Sequence, residues 1–214
     1  LVLIIMIIGW QLGSTKLYEK AFEFENSGEI EEALSLVQKI NKAYPISTFG
    51  KSMEMRIYHS KYISTGLDEY YNLSIEAAKK AVELEPYMAS HNSNLAKIYQ
   101  QNGDYQNAEK YHLIATKYSS YVLDKFIDLG TFYIELGKND QAEETLLSAL
   151  ERAPFAIKRA PGTEKESVVD SVAIIRLTLA NLYSQAGNQE KVQDQVTQLI
   201  ELKEEYPFLE KYFK

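Results

Sequence analysis

No cysteine occurs in the 214-residue sequence. That absence excludes disulfide staples, thiolate zinc sites, thiol nucleophiles and redox switching, and it leaves the cellular compartment open. A basic excess is lacking too. With 23 Lys plus Arg against 30 Asp plus Glu, the net charge is −7, so no cationic stripe is expected for a nucleic-acid partner. Histidine is scarce: His59, His91 and His112 show no His-x-x-x-His spacing, and without thiols beside them they close no metal coordination sphere. They read as structural. A Gly-rich phosphate loop and a G-x-S-x-G elbow are both missing. The expectation is a non-enzyme that uses neither cofactor nor metal. Glu31-Glu32 and Glu143-Glu144 fit helix starts, where carboxylates meet the positive end of the dipole. Asn72-Leu73-Ser74 fits a glycosylation sequon, a triplet that chance produces often.

Long hydrophobic runs are also lacking, with one exception at the start. Leu1, Val2, Leu3, Ile4, Ile5, Met6, Ile7 and Ile8 are followed by Gly9 and Trp10, and the first charge is Lys16. Twelve helical residues cover roughly 18 Å, short of the ~30 Å hydrocarbon core of a bilayer, so the run alone does not span one. It lacks the basic leader and small-residue cleavage site of a signal peptide. As a helix it would be apolar on every face. Residues 1–13 are therefore predicted to be a hydrophobic helix with one of two jobs. Besides the reading as a core helix of the domain, which its all-round apolarity disfavours, it is either an anchor whose Trp10 sits at a membrane interface, or an assembly element that packs with copies of itself.

What fills the rest is a repeat. Asn102-Gly103-Asp104-Tyr105-Gln106-Asn107-Ala108 recurs as Leu136-Gly137-Lys138-Asn139-Asp140-Gln141-Ala142, with the glycines 34 residues apart. The same offset joins Leu95 to Leu129, Tyr99 to Tyr133 and Ala115 to Ala149. Small residues at such positions let two helices approach closely, and a glycine after the first helix ends it in a left-handed turn. In this spacing the chain resembles the tetratricopeptide repeat family. The resemblance implies an all-α, right-handed superhelix of about five stacked antiparallel helix pairs. Units are expected near 14–47, 55–88, 89–122, 123–156 and 173–206, with insertions near 48–54 and 157–172 and an aromatic tail at 207–214. Gly130, Tyr133, Gly137, Ala142, Ala149 and Pro154 make 123–156 the best match. The 157–172 insertion, polar and carrying Pro161-Gly162, is expected to bulge as a surface loop.

The family resemblance implies a protein or peptide partner held on a curved face. Inward positions of the first helix of each unit are Ser90, Ser93, Lys97, Gln100 and Gln101, then Asp124, Ile127, Thr131, Ile134 and Glu135, then Ile174, Leu177, Asn181, Ser184 and Gln185. The subfamily that grips C-terminal carboxylates needs Lys, Asn and Arg there. Only Asn94 and Lys97 suggest it, and Asp124 and Asp128 would repel the ligand. The aliphatic set Ile127, Ile134, Ile174 and Leu177 is the better candidate contact, unless it is buried beneath 157–172 or the final helix. Phe208, Tyr212 and Phe213 in the tail either cover the end of the array or dock on a partner. A hydrophobic helix followed by such repeats resembles the C-terminal region of bacterial envelope proteins of the O-antigen polymerase and ligase class. That likeness implies a non-enzymatic assembly module at the cell envelope, the tail of a larger enzyme, membrane-associated or at the cell surface, with the side of the membrane unset. The alternative is a subunit of an extracellular pilus-like filament whose N-terminal helices pack in the fibre core.

Overall fold

The computed structural model describes residues 16–119 and 121–213. The expected anchor or assembly residues, Leu1 to Ile8 and Trp10, and with them the predicted hydrophobic helix, lie outside the described residues. Among the described residues the fold is all-α, and no helix is long and apolar enough to cross a membrane. The chain divides into two compact units, one ending at Gly103 and the other beginning at Asp104.

In the first unit, residues 16–26 are helical (α1) and are followed by α2 (Ile30–Ala43), α3 (Thr48–Thr65), α4 (Asp68–Leu84) and α5 (Ala89–Gln101). Its core sets Tyr18 and Ala21 of α1 against Ala33, Val37 and Ile40 of α2 and Met53, Ile57 and Tyr58 of α3. The segment expected as an insertion at 48–54 is the first two turns of α3, capped by Ser47, whose hydroxyl accepts from the Gly50 amide at 3.2 Å. Gly50 allows a close approach: a Cβ there would stand 2.6 Å from the Tyr18 hydroxyl. A tight turn at Gly66 and Leu67 leads into α4 at Asp68. Ser74 is buried inside α4 and donates to the Tyr71 carbonyl at 2.7 Å, so the sequon sits within a packed helix.

The second unit holds α6 (Tyr105–Lys117), α7 (Asp124–Glu135), α8 (Asn139–Arg159), α9 (Gly162–Gln185), α10 (Gln189–Glu205) and a 3-10 helix, Pro207–Phe213. Asp104 caps α6 by accepting from the Asn107 amide at 3.2 Å. Gly137 ends α7 at φ +68°, and the Lys138 amide reaches back to the Tyr133 carbonyl at 2.9 Å in a Schellman closure. Gly130 shows why the family position is small: a Cβ there would stand 2.7 Å from the Leu146 side chain.

One expectation fails here: 157–172 is not a surface loop, because α8 runs through Pro154 to Arg159 and α9 begins at Gly162. Only Ala160 and Pro161 separate the two helices. Ala153, Ala156, Val169, Val172 and Ala173 are all buried, and Ile157 packs against two core clusters. Burial of this apolar stripe outweighs the local preference of Pro and Gly to break a helix.

A bridge repeats along the second unit. Glu109 of α6 accepts from Lys138 at 3.2 Å and bonds the Tyr133 hydroxyl. Glu143 of α8 accepts from Lys191 at 2.6 Å and from the Tyr183 hydroxyl at 2.9 Å. Glu143 thus joins one helix pair to the next instead of decorating a helix start. At the far end, Leu209 of the 3-10 helix is fully buried against Val169, Ala173 and Leu199. The Tyr212 hydroxyl donates to Asp170 at 2.8 Å, and Lys211 pairs with the same carboxylate at 2.6 Å.

Candidate functional site

A groove of about 890 Å³ in the first unit is walled by α1, α3 and α5. Its size falls in the range of ordinary ligand sites. Each wall is built from one helical face. On α1, Tyr18, Glu19 and Phe22 follow the i, i+1, i+4 spacing, and on α5 Asn94, Lys97, Ile98 and Gln101 follow i, i+3, i+4, i+7. From α3 come Phe49, Ser52, Met53, Met55, Arg56 and His59. The floor is closed by the buried side chains of Met53, Met55 and Ile98. Two rings stand out of it: Phe22 and Phe49 keep 47% and 58% of their surface exposed.

Several polar groups of the groove are already engaged. The Tyr18 hydroxyl and Ser47 Oγ lie 2.7 Å apart, and the Tyr18 ring meets Phe49 edge-on with centroids 4.8 Å apart. Arg56 donates to Glu25 from both Nε and Nη2, forming a two-point pair, while its guanidinium rests 5.1 Å from the Phe22 ring centroid. Burial pushes the His59 imidazole below its ordinary pKa, partly opposed by a hydrogen bond with Gln101, so the ring is neutral at pH 7. His59 Nδ1 is buried without a hydrogen-bond partner. Beside the wall, His91 bridges Ser52 Oγ at 3.2 Å and Glu85 at 3.0 Å. His112, in the second unit, is buried with its ring 5.2 Å from that of Phe132. Among the described residues no group of His, Asp and Glu is arranged to hold a metal ion. The groove therefore offers aromatic and thioether surface with a polar rim, which suits an uncharged or amphipathic chain.

The residues singled out from the sequence fall elsewhere. Ile127 and Ile134 are half-buried against the core of Phe126, Leu146, Ile175 and Tyr183. Leu177 packs into a different cluster, with Val169, Leu199 and Leu209, so it does not extend the Ile127 and Ile134 surface. Ile174 is half-buried. Asp124 accepts from the Ser171 hydroxyl at 2.7 Å. Phe208 and Tyr212 lie against the core that the tail covers, and Phe213 keeps 37% of its surface with Lys203 Nζ 4.4 Å above its ring. Of the inward positions read from the sequence, Lys97 and Gln101 line the groove, and so does Asn94, which was named with Lys97 for a carboxylate clamp. Phe22, Phe49, Met55, Arg56 and His59 were missed. The same inward-face spacing applied to the units at 14–47 and 55–88 marks Phe22, Arg56 and His59, whereas Phe49 falls in the segment expected as an insertion and Met55 at a unit boundary.

Residues 90–119 and 126–155 each match the tetratricopeptide repeat family. No curated protein matches the sequence. Among solved structures, MamA is similar at 19% identity and a TM-score of 0.58, over 89% of this chain and 92% of that one. PilF of Pseudomonas aeruginosa is similar at 16% identity and a TM-score of 0.57, over 96% of this chain and 98% of that one. YrrB, described as a tetratricopeptide repeat protein with an unusual peptide-binding site, is similar at 14% identity and a TM-score of 0.52, over 92% and 89%. At these identities the likeness is one of fold. The chain contains tetratricopeptide repeats and has the stacked-helix-pair fold of proteins built from them.

Proposed function

We propose that the chain is a non-enzymatic protein–protein interaction module that holds a peptide segment in the groove of α1, α3 and α5. The observation that carries this reading is the pair of rings, Phe22 and Phe49, left exposed on a concave surface whose floor is otherwise closed. Exposed aromatics in a groove are the usual anchors of binding energy. Support also comes from the fold: YrrB, which is similar in fold, is described by its peptide-binding site. The polar rim of Asn94, Lys97 and Gln101 would fix the register of the bound chain through hydrogen bonds.

The test is selection of a phage-displayed random peptide library on the full chain, followed by titration of the enriched peptides. Wild-type protein should enrich a consensus with at least one large apolar residue, and Phe49→Ala should weaken it about tenfold or more, the loss expected for removing one hot-spot side chain. Enriched peptides that bind Phe22→Glu/Phe49→Glu protein as well as wild type would remove the groove from the reading.

A further inference from the structure

We propose that in water the groove of the first unit is occupied by residues 1–12 of the same chain. The first wall residue, Tyr18, follows Gly13 by five positions, so the segment is tethered at the mouth of the groove. Tethering makes docking intramolecular, with an effective concentration on the order of millimolar, and this favours the chain's own segment over that of a second copy. Reach is sufficient: twelve residues span about 18 Å as a helix and about 40 Å extended.

The chemistry of the two surfaces matches. Residues 1–12 carry no charge, and eight of them form an unbroken aliphatic run. The groove presents Phe22, Phe49, Met53, Met55 and Ile98, and its Arg56 is already neutralised by Glu25. An uncharged occupant leaves that ion pair in place. Docking removes from water the aliphatic run and the two exposed rings together. This inference stands on the groove geometry and not on the peptide-binding reading. If both hold, residues 1–12 shield the groove and a partner has to displace them.

Trp10 is the sole tryptophan of the chain and reports on the segment directly. In lipid-free buffer, the full chain should show blue-shifted Trp10 emission, shielded from acrylamide and constant through a wide dilution series. Phe22→Glu/Phe49→Glu should move the emission to the red and raise quenching several-fold with the helical circular dichroism unchanged. Phe155→Glu, an exposed aromatic of the second unit, should leave it alone. Red-shifted emission in the wild type would overturn the proposal. So would a blue shift lost on dilution, which assigns the segment to a second copy, or one that appears only with phosphatidylglycerol vesicles, which assigns it to a bilayer. A blue shift indifferent to the groove variant overturns it as well. Methyl NMR gives an independent reading. Ile5→Lys should shift Met53 and Met55, which line the groove, and spare Met88, which does not. Unmoved Met53 and Met55 signals would count against docking whatever the fluorescence shows.

Discussion

The two units use one register position in opposite ways. In the second unit that position holds Glu109 and Glu143, 34 residues apart, and each carboxylate reaches a tyrosine and a lysine of the following helix pair. In the first unit the same position holds Leu34 and Ile75, both buried. The first-helix faces differ as well. In the first unit they open into a groove with Phe22 and Phe49 exposed, whereas in the second Ile127 and Ile134 lie against the core and Asp124 is bonded to Ser171. A single repeat template thus yields a surface where its inward positions are left open, and a braced frame where they are filled and cross-linked.

The largest effect on that contrast should come from a fully buried packing point of the second unit. Leu146→Ala, at a fully buried site, should cost the second unit about 2–5 kcal/mol in urea denaturation followed by circular dichroism. Gly130→Ala alone should cost about 1–3 kcal/mol, because its methyl meets Leu146, and much less in the Leu146→Ala background, where the space exists. Equal costs in both backgrounds would mean that the two side chains do not compete.

The carboxylate bridges should give the second unit a pH dependence of its own. Lys191, and then Tyr183, hold the Glu143 carboxyl below its ordinary pKa despite partial burial. A depressed carboxyl adds stability above its unfolded pKa, and that stability is lost as pH falls through the folded value. Acid titration should therefore destabilise the wild type more than Glu143→Gln, by about 1 kcal/mol for a partly exposed bridge. At the alkaline end, burial and then Glu109 push Tyr133 up to about 12. Its contribution is complete below the ordinary value of 10.0 and is lost as pH rises toward about 12, a loss that Tyr133→Phe should abolish. Identical pH profiles for these variants and the wild type would remove the bridges as a distinguishing feature.

The smallest effect on stability belongs to the groove. Phe49→Ala should change unfolding free energy by no more than about 0.5 kcal/mol, since an exposed ring contributes little to the core. A loss comparable with that of Leu146→Ala would make Phe49 part of the frame, and the contrast between open and filled faces would disappear.

The sequence showed the frame better than the surface. Gly130, Gly137, Ala142 and Ala149 were legible because close helix crossing and left-handed turns admit few residue types. The start of α9 was not, because Pro161-Gly162 carries a strong local signal for a loop while the apolar stripe from Val169 to Ala173 acts through tertiary burial. Glu143 read as a solvated acid, since its partners lie 40 and 48 residues away. The groove was hidden for a similar reason. Gly50, which lets α3 approach Tyr18 of α1, lies in a segment outside the 34-residue register, so nothing local marks Phe49 as lining a shared wall.

The spacing of Glu109 and Glu143 has a consequence for how such an array lengthens in evolution. A tandem duplication of one 34-residue block in the gene would carry the carboxylate of one pair and the tyrosine of the next in the correct phase, so the new copy would arrive with its own fastening. At the C-terminal end that route is shut. Leu209 covers the apolar face of α9 and α10 on which another copy would stack, so growth by copying has to be inserted upstream of the cap.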